Sequence, residues 1–463
     1  MKGFLVAGTA SGVGKTTLTL AIIAAMRRRG LVVQPFKGGP DFLDTGHHTR
    51  ISGRIARNID TWMLGTEANK DVLRQASLGA DAVIVEGMMG LFDGKDGASE
   101  TGSSAEIAKL LELPVILVLD ASKSARSIAA VVLGFELFDP ELPLAGIVLN
   151  RVANERHYRM LETAIASACK TPIVGWLPRQ PDITIPERHL GLHSAEEARS
   201  GGTAEKAIQA LAAVAEKHLD LSRLFSFECG LDLSKEDGLT PAPAAGQVRI
   251  GVARDRAFSF YYEDNLDLLR QAGAVIVAFS PIDDTFLPVG LDALYLGGGY
   301  PELYADRLSA NTEMLAAIRN FASSGRPVYA ECGGLMYLSQ QLTSIGGETH
   351  TMAGILPFTI EMTDRLVNFG YVTVELTRAC ILGPQGTMLR GHSFHYSRIA
   401  NAPEVNTNYS IQYSLSGRLE EEGYERGNVL ASYVHLHFRT APSIARHLVE
   451  AARSVRDGGL ASA

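Results

Sequence analysis

The chain has 463 residues, more than one hydrophobic core accommodates, so two or three domains are expected. Its composition is that of an ordinary globular protein, and a net charge of -8 excludes a nucleic-acid-coating role, which needs a basic field. Apolar stretches such as 113–119 are far shorter than the roughly 20 residues of a bilayer span, so neither nucleic acid nor membrane is expected as a partner.

The N-terminus begins with a basic residue, Lys2, but lacks the long apolar run of a leader, and 4–7 read as a buried first strand. Strands are expected at 4–7, 31–36, 82–86, 115–120, 145–150 and 172–176, with helices at 16–29, 103–111 and 156–168. This alternation implies an α/β domain with a doubly wound parallel sheet over 1–195. A helical extension and linker should fill 196–246, ending in the Pro/Ala/Gly-rich run 239–246. The pattern then restarts, with strands at 248–253, 274–279, 293–296 and 327–331, giving a second α/β domain over 247–445. From about Thr351 the strands are expected to shorten into an antiparallel extension, and 446–463 to form a C-terminal helix or tail. Cys169, Cys229, Cys332 and Cys380 are widely spaced and include no CxxC, which fits neither a disulfide framework nor a zinc ribbon. A reducing cytoplasm is the expected setting.

The first strand runs into Gly8-Thr9-Ala10-Ser11-Gly12-Val13-Gly14-Lys15-Thr16-Thr17, and a helix follows. Strand, glycine-rich loop and helix in this order make a phosphate-binding loop. Residues 11–17 are the expected ATP contacts. Gly12 and Gly14 admit close approach of backbone N–H groups, and the helix N-terminus adds positive dipole. Lys15 reaches the terminal phosphates, and the Thr16 hydroxyl can ligate Mg²⁺. The loop departs from the strict pattern, because Thr9 stands where its first glycine falls. It also lacks a lysine at Ala10 or Ser11, which speaks against a partition-type regulatory ATPase whose second domain only binds a partner.

Mg²⁺ requires carboxylates at strand ends, where an open α/β sheet puts its ligand crevice. Glu86 ends an apolar strand and is followed by glycine; Asp41 follows the second expected strand. Both join Thr16 in the expected metal set. Asp44 and Asp93 read equally well as turn or capping residues.

In the second domain, strand 327–331 meets Cys332-Gly333-Gly334 and a helix, which is a nucleophile elbow built with cysteine. The turn exposes sulfur, and the helix N-terminus is expected to lower its pKa. A lone cysteine is more often a small buried hydrophobe, but the glycines and the strand-to-helix context set this one apart. His435 and His437 lie at i and i+2 on a late strand; one could serve as general base, and a metal-binding pair is the lesser reading. Gly297, Gly298 and Gly299 follow a strand and, with Gly333, are expected to donate N–H groups to an oxyanion.

These motifs occur in order from about Lys2 to beyond His437: the phosphate loop, Lys-Gly-Gly-Pro-Asp-Phe-Leu-Asp, Val-Glu-Gly-Met-Met-Gly-Leu-Phe-Asp-Gly, Gly-Gly-Gly-Tyr-Pro-Glu, Glu-Cys-Gly-Gly-Leu-Met-Tyr-Leu and Tyr-Val-His-Leu-His-Phe. The ordered set resembles the cobyrinic acid a,c-diamide synthases of cobalamin biosynthesis. The resemblance implies a dethiobiotin-synthetase-like ATP domain joined to a class I, triad-type glutamine amidotransferase domain. It implies a carbon–nitrogen ligase that takes ATP, L-glutamine and a corrinoid, with Mg²⁺ as cofactor, and amidates the a and c carboxylates through an acyl phosphate. Cys332 then resembles the glutaminase nucleophile and His435 its base, while Asp41, Phe42, Leu43 and Asp93 match the segments near the reacting carboxylate. The same scaffold serves hydrogenobyrinic acid or nickel-sirohydrochlorin in paralogous enzymes, and a homodimer is compatible with it. Phe42 stands where relatives usually carry Tyr, Gly38 where they often carry Val, and Ser393 where Glu is expected. The third member of the triad is therefore left open.

Overall fold

A computed structural model describes residues 1–179, 187–188, 191–192, 203–233, 247–400 and 405–460. The expected linker at 239–246 and the expected boundary at 195 lie outside the described residues. The chain divides into two compact units, Met1–Asp237 and Gly238–Ala463. Among the described residues, no helix is long and apolar enough to cross a membrane.

The first unit is built on a seven-stranded sheet in the order Arg57–Ile59, Val33–Gly38, Ala82–Glu86, Lys2–Gly8, Val115–Asp120, Leu144–Val152, Ile173–Pro178. Every pair is parallel. Its strands are continuous apolar runs because helices cover both faces, and Ala82–Glu86 is buried at every position. Strand Lys2–Gly8 is central. The chain builds to one side of it and then returns to build on the other, so its carboxyl end opens at the switch point where such sheets hold ligands. Strand Arg57–Ile59 and the helices Thr61–Ala76 and Ser127–Phe138 were not among the expected elements. Helix Thr61–Ala76 is kinked by Gly65 at φ 73°, which breaks the helical period in sequence.

Helix Thr203–His218 belongs to this unit. Leu211, Ala212 and Ala215 share one core with Leu18, Ile22 and Val174. Burying Leu211 alone contributes about 2 kcal/mol. Residues 227–229 continue beside the first strand, where Gly3 N–H donates to Phe227 O at 3.0 Å.

The second unit holds a ten-stranded mixed sheet. Ala274–Phe279, Val248–Ala253, Ala293–Leu296, Val328–Glu331 and Val429–Ser432 pair in parallel, in that order. Leu419–Arg426, Asn406–Tyr413, Asn368–Leu376, Met388–His395 and His435–Leu436 extend it antiparallel. The extension is antiparallel as expected, and some strands there are short, such as His435–Leu436, but Asn368–Leu376 has nine residues and Leu419–Arg426 eight. Glycine within the strand, at Gly370 and Gly423, had obscured that length. Helix Ser443–Leu460 is no tail, since Ile444, Leu448, Val449 and Ala452 are buried in the core with Val252 and Tyr295.

Candidate functional site

The phosphate loop turns through Gly12 at φ 75° and Gly14 at φ 101°, a region that costs other residues strain. Gly14 is required twice over, because a Cβ there would lie 2.0 Å from Asn150 Nδ2. Asn150 in turn donates to Val13 O at 2.8 Å, so the neighbouring strand end holds the loop in shape. Ser11 and Gly12 are exposed, Val13 is buried, and Thr17 sits half-buried on the helix. Lys15 Nζ donates to Ala10 O and Met89 O, which curls it over the loop. Burial, and next the charge of Lys37, lower its pKa to about 8.

Behind the loop lies a buried charged cluster. Thr16 Oγ1 donates to Glu86 Oε1 at 2.6 Å and lies 3.4 Å from Asp44 Oδ1. Lys37 Nζ is 2.5 Å from Asp44 and 3.0 Å from Glu86, and His48 Nε2 is 2.7 Å from the other Glu86 oxygen. Burial and the neighbouring Glu86 charge raise Asp44 to about 7. Burial works against Glu86 too, yet Lys37 and His48 hold it below the usual carboxylate range.

Asp44 and His48 are four apart on helix Leu43–Ser52, so one face carries both to Glu86. Asp41, the expected ligand, acts on Lys37 and Asp44 through its charge. Its Oδ1 accepts the N–H groups of Leu43 and Asp44 at 2.7 and 2.9 Å, capping that helix. Asp44 stands beside Thr16 and Lys37 in this cluster. Phe42 and Leu43 open the same helix, half-buried. Asp93 is exposed and accepts the Gly90 N–H at 2.8 Å, near enough to Lys15 to act on its charge. Lys37, His48 and Asn150 went unassigned in the sequence, where only the position of Lys37 at a strand end was a signal.

Among the described residues, no group of three or more His, Cys, Asp or Glu is arranged to hold a metal. The oxygens of Thr16, Glu86 and Asp44 do fit Mg²⁺, which commonly takes one or two carboxylates and completes its shell with phosphates and water.

In the second unit Cys332 has φ 45° and ψ -99°, the strained apex between strand Val328–Glu331 and helix Gly333–Leu338. Its N–H donates to Ser432 O at 2.7 Å, which ties the apex to the neighbouring strand. Gly334 admits no side chain, and Gly333 leaves little room for one. A Cβ on Gly334 would lie 2.2 Å from Leu296 O, and one on Gly333 would lie 3.0 Å from Pro301 Cδ and 3.1 Å from Gly299 N. The expected lowering of the thiol pKa does not occur. Burial, and next the Glu302 charge, push it up, and the Gly333 N–H offsets only part of this.

His435 is buried, and its ring edge packs on the glycine loop. A Cβ on Gly298 would lie 2.4 Å from His435 Cε1 and 3.2 Å from Nε2. On the other edge, Nδ1 lies 3.8 Å from Glu331 Oε2. The His392 ring stacks on His435 at 5.1 Å. The strand bearing His435 ends at Leu436, and His437 instead caps the short turn Phe438–Thr440 and packs on Tyr262. The two histidines therefore do not form a metal pair. Of the expected oxyanion donors, Gly297 N–H donates to the Tyr261 hydroxyl at 2.8 Å and Gly298 N–H to Phe260 O at 3.2 Å. Both are committed within the loop, which leaves Gly299 and Gly333 beside the elbow.

A phosphate loop backed by buried carboxylates in one unit, and a cysteine elbow with a histidine in the other, define a ligase that takes its nitrogen from glutamine. The family described as a CobQ/CobB/MinD/ParA nucleotide binding domain matches residues 4–192, and that described as a CobB/CobQ-like glutamine amidotransferase domain matches 249–443. Cobyrinate a,c-diamide synthase of Syntrophotalea carbinolica is 47% identical over 97% of this chain and 98% of its own length. The Salmonella typhimurium enzyme of the same name is 42% identical over 98% of each chain. This chain belongs to the cobyrinate a,c-diamide synthase family.

Proposed function

We propose that the protein amidates the a and c carboxylates of cobyrinate, using ATP and glutamine at each. The observation that supports this most is the pairing of the two sites on one chain whose relatives bear that name along their whole length. Lys15 and the amides of 11–17 bind the ATP phosphates. Thr16 with Glu86 and Asp44 would hold Mg²⁺, which would neutralise phosphate charge. Lys37 keeps the two buried carboxylates compensated. The substrate carboxylate attacks the γ-phosphorus in line, ADP leaves, and an acyl phosphate forms. Phe42, Leu43 and Asp93 border the place where that carboxylate is bound.

In the second unit the Cys332 sulfur attacks the glutamine amide carbon. The thiol is neutral at rest, so His435 removes its proton as the S–C bond forms. The proton passes to the departing nitrogen, ammonia leaves, and water cleaves the thioester to glutamate. Gly299 and Gly333 N–H groups face the oxyanion. Ammonia attacks the acyl phosphate and phosphate leaves, forming the amide. A cytoplasmic setting agrees with four free cysteines.

The test supplies Mg–ATP, glutamine and a macrocycle, and follows product mass. Cobyrinic acid should gain two amides, dependent on ATP and glutamine, while Cys332→Ala should amidate only with ammonium salts. Conversion of hydrogenobyrinic acid or nickel-sirohydrochlorin in its place would overturn the substrate. Undiminished glutamine use by Cys332→Ala would overturn the glutaminase assignment.

A further inference from the structure

A base that moves a proton between sulfur and nitrogen needs an acid behind it to hold its tautomer and orientation. Ser393, where a glutamate was expected, is buried and interacts with Tyr413. It neighbours His392 in an extended strand, so its side chain leaves the opposite face of the sheet from the ring stacked on His435. Two residues past His435 stands His437, which carries no carboxylate.

Glu331 immediately precedes the nucleophile. Its side chain points away from the elbow into the core, 1% exposed, with Oε2 3.8 Å from His435 Nδ1. Three donors hold it there. The Tyr295 hydroxyl reaches Oε2 at 2.9 Å, and Oε1 accepts the Tyr329 hydroxyl at 2.6 Å and the Leu436 N–H at 3.1 Å. The last of these is the amide of the residue after the histidine, so one carboxylate fixes both the backbone and the ring edge of the His435 turn. A buried carboxylate with tyrosines on either oxygen is costly to keep for packing alone. The opposite edge of the same ring, with Nε2, faces Gly298 beside the Cys332 elbow.

The structure assigns Glu331 as the positioning residue of His435: it accepts the Nδ1–H and presents unprotonated Nε2 to the Cys332 thiol. This deepens the glutaminase reading and rests on it. A separation of 3.8 Å exceeds a hydrogen bond, and a ring rotation that moves Nδ1 by roughly 1 Å closes it; catalytic bonds commonly tighten in this way when substrate binds. The Cys332 proton goes to Nε2 and from there to the departing ammonia. The acid thus precedes the nucleophile in the chain instead of following the base.

The test compares full-length wild type, Glu331→Gln and Glu331→Asp. Glutamate formation by Glu331→Gln should lose ~10²–10⁴-fold in kcat with KM for glutamine changed less than about threefold, since orientation of the base acts on chemistry and not on binding. Glu331→Asp keeps the charge one methylene short and should fall between, which preserves the test if Glu331→Gln does not fold. Ammonium-driven amidation should stay at the wild-type rate in both. Ring-nitrogen NMR should show the Nδ1–H tautomer of His435 in wild type and a mixture in Glu331→Gln. A wild-type kcat in Glu331→Gln, or an unchanged tautomer, overturns the assignment. Wild type that hydrolyses no glutamine yet shows the Glu331-dependent tautomer supports the pairing and defeats the glutaminase reading alone.

Discussion

Glu422 lies in the core of the second unit, 3% exposed, where its Oε1 accepts the Ser432 hydroxyl at 2.9 Å and the Tyr433 N–H. Burial raises its pKa from 4.5 to about 7. The folded protein therefore holds a proton that the unfolded chain releases, and between about pH 4.5 and 7 this residue makes stability fall as pH rises. Glu422→Gln removes that slope while Oε1 keeps both donors. Urea unfolding should give the variant about 2–3 kcal/mol over wild type at pH 8 and little at pH 4.5. An equal difference at both pH values would count against a protonated Glu422. Glu422 and Glu331 show the two ways this core treats a carboxylate. Glu422 accepts one hydroxyl and one amide on a single oxygen, whereas donors reach both oxygens of Glu331.

At the scale of elements, the loop Gly297–Gly299, the elbow at Cys332 and the strand bearing His435 approach so closely that any side chain on the loop displaces a neighbour. Gly298→Ala would put a methyl 2.4 Å from His435 Cε1, and a ring yields more readily than backbone. We expect the fold to persist and glutaminase kcat to fall by ~10², because a displacement near 1 Å at the base is enough. Steady-state glutamate release with a thermal melt measures both; an unaltered kcat would show that the ring has room. Gly334 differs, because its neighbour is the Leu296 carbonyl, so substitution there strikes the packing of helix on strand instead of the base.

At the scale of the molecule, each unit owns its core residues: Leu18, Ile22 and Leu211 belong to the first, while the second holds two clusters, one with Leu294 and Tyr337 and one with Leu448. Residues 1–237 expressed alone should fold and be stabilised by Mg–ATP, with the melting temperature rising with ligand concentration. Lys15→Ala should abolish that rise. A fragment that melts without cooperativity would show that the first unit depends on the rest of the chain.

The chemistry that lies within a few consecutive residues was readable in one dimension. Gly12-Val13-Gly14-Lys15-Thr16 and Glu331-Cys332-Gly333-Gly334 each lie where a turn meets the start of a helix, and the turn geometry of both is written in the local order of glycines, although the elbow leaves the Cys332 sulfur buried and not exposed as expected. Parallel strands were readable because burial on both faces makes them continuous apolar runs, whereas the long antiparallel strands, interrupted by Gly370 and Gly423, were not. Residues brought together from distant segments had no local signature. Lys37, Asp44 and His48 meet Glu86 only through the pairing of two strands and one helix face, and a sequence does not show that Asp41 accepts the first N–H groups of that helix while Asp44 faces Lys37. The sequence by itself determined the class of enzyme, a ligase with glutamine as amide donor, since the phosphate loop and the cysteine elbow that signal it depend on local backbone shape. Only the tertiary structure decided which carboxylates lie beside Thr16 and that Glu331 lies beside His435, since burial and strand pairing bring those partners together across tens to hundreds of residues.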